Sequence, residues 1–71
     1  MNLKELREQS GCATQESAAE RVGVNQTTIS KLEAGEVASP RLDTLQKLAD
    51  GYGVDLSVVI AAVRESVAEA A

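Results

Sequence analysis

Regular glycine punctuation is the feature that most constrains this 71-residue chain. Gly11, Gly23, Gly35, Gly51 and Gly53 recur about every twelve residues, between segments whose apolar residues repeat at helical spacing. Helices confined between such stops reach about three turns, too short for an up-down four-helix bundle. The one β-branched run, Val58-Val59-Ile60, sits among alanines without period-2 alternation and reads as helix. The spacing therefore predicts five short helices over about 2–10, 15–22, 26–34, 41–52 and 56–70. The expected fold is a single all-α domain spanning 1–71, with Pro40 holding Ser39 extended in the loop 35–40.

Caps and apolar stripes support these boundaries. Thr14, Asn25 and Asp55 are N-cap residues at the second, third and fifth helices. The inner faces are Leu3 and Leu6; Ala18, Ala19 and Val22; Ile29 and Leu32; Leu42, Leu45, Leu48, Ala49 and Tyr52; and Leu56, Val59, Ile60, Val63 and Val67. Tyr52 is the sole aromatic residue, so Leu, Val, Ile and Ala must build the core. A domain this small buries roughly 60% of its unfolded surface, which makes each core residue matter.

The inventory excludes much chemistry. Histidine is absent and Cys12 is the single cysteine, so no histidine acid–base pair, zinc cluster or internal disulfide is available. No segment resembles a phosphate-cradling glycine loop, a signal peptide or a membrane span. The expectation is a non-enzymatic cytoplasmic protein without metal or cofactor. The net charge of −4 is spread along the chain, heaviest over 55–71, and no segment forms a basic arm.

The second and third helices are separated only by Gly23-Val24-Asn25, the anatomy of a helix-turn-helix over 15–34. Ala19 is small where the helices cross, Gly23 takes the turn, and Val24 plugs the corner. Opposite Ile29 and Leu32, the third helix presents Thr27, Ser30, Lys31 and Ala34, with Gln26 leading. Glutamine pairs with adenine edges, hydroxyls reach either base pair, and lysine reaches guanine or phosphate. These residues suit a helix whose N-terminus enters a major groove.

The stretch TQESAAERVGVNQTTISKLEAG resembles the Cro/C1-type, XRE-like family of helix-turn-helix DNA-binding domains. LKELREQSG is similar to the family's first helix, and SPRLDTLQKLADGYGVDL to its fourth and the entry to its fifth. The resemblance implies a compact five-helix lambda-repressor-like domain, prokaryotic or phage-encoded, that regulates transcription as a repressor by binding double-stranded DNA sequence-specifically, as a homodimer on a palindromic operator. It implies base reading by Gln26, Thr27, Ser30 and Lys31, and phosphate contacts from Arg7, Gln15, Thr28 and Arg41. Arg41 at a helix start opposes the helix dipole, which agrees with a task on DNA.

The chain departs from the family pattern at two corners. Cys12-Ala13-Thr14 replaces a shorter Gly-Leu entry to the second helix, and Ala18 stands where a larger aliphatic residue is usual; Cys12 is the expected filler. The loop after the third helix reads Glu36-Val37-Ala38-Ser39 rather than basic. On the fifth helix Val58 and Ala62 form a second stripe, expected at the dimer interface, with the segment beyond 62 exceeding the needs of a minimal domain. Glu16 and Glu20, one turn apart, are candidates for contact with RNA polymerase. The acidity also admits another function on the same fold: a protein-interaction module, such as an antitoxin-like partner of an enzyme.

Overall fold

A computed structural model describes residues 1–71 as five helices: α1 (Leu3–Gln9), α2 (Gln15–Val22), α3 (Gln26–Glu33), α4 (Leu42–Tyr52) and α5 (Leu56–Ala70). The expected boundaries are met within a residue, and the trimmed positions are caps. Asn2 lies outside α1 because its side chain accepts the Glu5 N–H while the Glu5 carboxylate accepts the Asn2 N–H. Thr14 and Ser17 form the same reciprocal arrangement at α2. Arg41 occupies the N-cap of α4 and supplies no side-chain cap.

The α2–α3 turn depends on Gly23, whose φ of +84° places it in the left-handed region. Its N–H donates to Ala19 O, ending α2, and Asn25 Oδ1 then accepts the Thr27 N–H at 2.8 Å to start α3. Val24 packs half-buried against the core at this corner.

The core draws on every helix and closes around Ile29, Leu48, Val59 and Cys12, its largest fully enclosed side chains. Ala18 is equally inaccessible, so the corner with two reduced side chains is sealed with the Cys12 thiol inside it. Tyr52 is buried at the end of α4, where burial pushes its phenol up to about 12.

The fifth helix is anchored along its length, contrary to the expectation of a surplus tail. The Leu3 N–H donates to Ser66 Oγ at 3.0 Å, Asn2 Nδ2 donates to Glu69 at 2.7 Å, and the Met1 ammonium pairs with Glu65. Gly35, at φ +74°, lets the end of α3 pass close to α5, since a Cβ there would lie 2.4 Å from Ser66 O. Ala62 is 1% exposed and belongs to this core, which corrects its assignment to a dimer interface. Its neighbour one turn back, Val58, is 40% exposed. No helix is long and apolar enough to cross a membrane.

Candidate nucleic-acid interface

Two buried anchors set the orientation of α3. Ile29 and Leu32 point into the core, so the helix must turn Gln26, Thr27, Ser30 and Lys31 outward, and all four are exposed. Thr28 is half-buried at the edge of this face. The short α2–α3 turn leaves the N-terminal end of α3 open to solvent.

Beside Lys31 lies a cleft of about 300 Å³ between α3, the loop 35–41 and the start of α4. Its polar lining is Thr28, Lys31, Ser39, Arg41 and Thr44: two cations and three hydroxyls. Such groups suit phosphate oxygens, which cations and short hydroxyls contact along a duplex backbone. The Arg41 side chain is 85% exposed and its Nε lies 3.2 Å from Asp43 Oδ1. An exposed pair of this kind contributes ~0–1 kcal/mol, so it gives way readily to a phosphate.

Arg7 does not join these groups, which corrects its assignment as a phosphate contact. Its side chain is buried, with Nε donating to Glu33 Oε2 at 2.7 Å and Nη1 donating to the Cys12 carbonyl at 3.1 Å. Hydrogen bonding to Glu33 holds the guanidinium above its ordinary pKa. Truncating one partner of a buried pair costs ~3–5 kcal/mol because the other charge is left uncompensated. The pair thus ties α1 to α3 and is structural in its first effect.

Glu33 is the residue that the sequence reading missed. The signal was present: Glu33 lies four residues after Ile29 and Arg7 four after Leu3, so each charge falls on a buried helix face. Opposite charges on two apolar faces imply a mutual partner. Gln15, half-buried at the first position of α2, donates from Nε2 to Glu33 Oε1 at 3.1 Å. Glu16 and Glu20 are exposed on α2.

A short turn between two crossed helices, a polar outward face on the second and a basic cleft beside it define a helix-turn-helix domain of the XRE type. The chain belongs to the family described as Helix-turn-helix, which matches residues 3–59. It is 46% identical over 55 residues to the HTH-type transcriptional regulator PuuR of Escherichia coli (strain K12), covering 78% of this chain and 29% of that protein. It is 39% identical over 57 residues to the Putative antitoxin HigA3 of Mycobacterium tuberculosis, covering 80% of this chain and 52% of that one. The chain therefore spans about half the length of these relatives or less. No solved structure matches it.

Proposed function

We propose that the chain is a sequence-specific duplex-DNA-binding transcriptional regulator, acting as a homodimer that represses from a palindromic operator. Gln26, Thr27, Ser30 and Lys31 read base edges in the major groove, while Gln15, Thr28 and Arg41 hold phosphates. The carrying observation is the exposed polar face of α3 beside the cleft containing Lys31 and Arg41. The name of the relative PuuR, a transcriptional regulator, supports the reading. Two subunits meet through apolar surface that includes Val58, setting half-sites about one helical turn apart. Glu16 and Glu20 offer an acidic contact to RNA polymerase; reversing both charges should abolish any activation and leave DNA binding intact.

The experiment is selection from a random duplex library at low salt, followed by sequencing. Enrichment of a pseudo-palindrome with half-sites about 10 bp apart is expected. No enrichment would overturn sequence readout.

A second reading is favoured by the likeness to a putative antitoxin and by the net charge of −4. In it, the domain also meets a basic protein partner. Complex formation with a purified basic enzyme that persists after excess operator is added would support this reading over DNA binding alone.

A further inference from the structure

We infer that Glu33, held in place by Arg7, is a positioning residue for the phosphate contact made by Gln15. This inference rests on the DNA-binding reading and deepens it. A glutamine amide at a helix start ordinarily rotates freely, presenting either its oxygen or its nitrogen to a ligand. Here the Glu33 carboxylate accepts only donors, so it fixes Nε2 of Gln15 inward at 3.1 Å. The remaining Nε2 N–H stays available beside the first-turn N–H groups of α2, the end of a helix that favours anions.

The carboxylate cannot wander. Glu33 Oε2 accepts from Arg7 Nε at 2.7 Å, Oε1 receives Arg7 Nη2 at 3.4 Å, and Arg7 is fastened in turn to the Cys12 carbonyl. The result is a chain of three side chains from α1 through α3 to the N-terminus of α2. Its two inner members are buried and its outer member reaches the surface. Arg7 therefore influences DNA through Gln15, without touching it. Pre-organisation of this kind raises affinity by removing the ordering cost at the moment of binding.

The test is a coupling measurement on the full 71-residue chain with its selected operator. Gln15→Ala is compared in the wild type and in an Arg7→Met/Glu33→Met background. Replacing a buried pair with apolar residues of similar volume often preserves stability. In the wild type, loss of a hydrogen bond to a charged phosphate should weaken binding about tenfold per half-site. In the paired-methionine background the same substitution should cost less than about twofold, because the amide has already lost its anchor. Equal losses in both backgrounds would overturn the relay, since a purely structural pair leaves the Gln15 effect unchanged. Gln15→Ala should also leave the salt dependence of binding unaltered, because the amide is neutral; a shallower dependence would count against the inference.

Glu33→Gln gives a second route if the methionine pair fails to fold. Its single oxygen faces donors from both Arg7 and Gln15, so the Gln15→Ala effect should shrink there too. A wild-type chain that binds no duplex would instead overturn the DNA-binding reading itself, a separable result.

Discussion

The burial of Arg7 has a direct consequence for how salt weakens DNA binding. With Lys31 and Arg41 as the cations beside the recognition face, a dimer brings four positive charges to the duplex, one in the groove and one on the backbone from each subunit. Counterion release then gives a log–log slope of about −3.6, and affinity falls roughly 150-fold between 50 and 200 mM monovalent salt. If Arg7 also reached the backbone, six cations would give about −5.4 and roughly an 1,800-fold loss. The assay is fluorescence anisotropy of a labelled operator duplex titrated at several salt concentrations. Arg41→Gln should flatten the slope to about −1.8, removing two of four charges per dimer. Arg7→Met/Glu33→Met should leave it unchanged. A wild-type slope steeper than about −5, or a flattened slope after Arg7 is replaced, would refute the assignment of these charges.

Three further outcomes are expected. Gly23→Ala should cost ~1–2 kcal/mol in urea denaturation, for its left-handed backbone alone, whereas Gly35→Ala should cost distinctly more because a Cβ there meets Ser66 O at 2.4 Å. Tyr52 has a folded pKa raised from 10.0 to about 12, so its contribution is complete below pH 10 and is lost as pH rises toward 12. The loss should be about 2–3 kcal/mol, read by melting temperature alongside tyrosinate absorbance, which reports this residue alone. Val58→Asp should shift sedimentation toward monomer with the melting temperature nearly unchanged, whereas Ala62→Asp should unfold the domain, since it puts a charge into the core; a dimeric, fully folded Val58→Asp would place the interface elsewhere.

The helices and the outward face of α3 were legible because they rest on local rules. Thr14, Asn25 and Asp55 declare helix starts, Gly23 declares a turn, and Ile29 with Leu32 fixes which side of α3 faces out. What escaped is tertiary. Arg7 reads as a surface cation until Glu33 is brought beside it from another helix, 26 residues away. Ala62 and Val58 share a stripe on a helical wheel, yet the direction in which α5 packs places one in the core and the other at its edge. The last turns of α5 look dispensable by composition, because nothing local shows that Ser66 and Glu69 bind the first residues of the chain.

That joining of the two ends has a consequence for synthesis. The ribosome delivers α1 well before the residues of α5 that cover it, the Leu3–Ser66 bond linking positions 63 apart. At ~5–20 residues per second, roughly 2–7 s separate the synthesis of Glu33 from that of Ser66. Throughout that interval α1 has α3 to pack on, with the Arg7–Glu33 pair between them, but lacks the part of its cover that α5 supplies. A chain caught short of α5 leaves that face of α1 open to protease or chaperone.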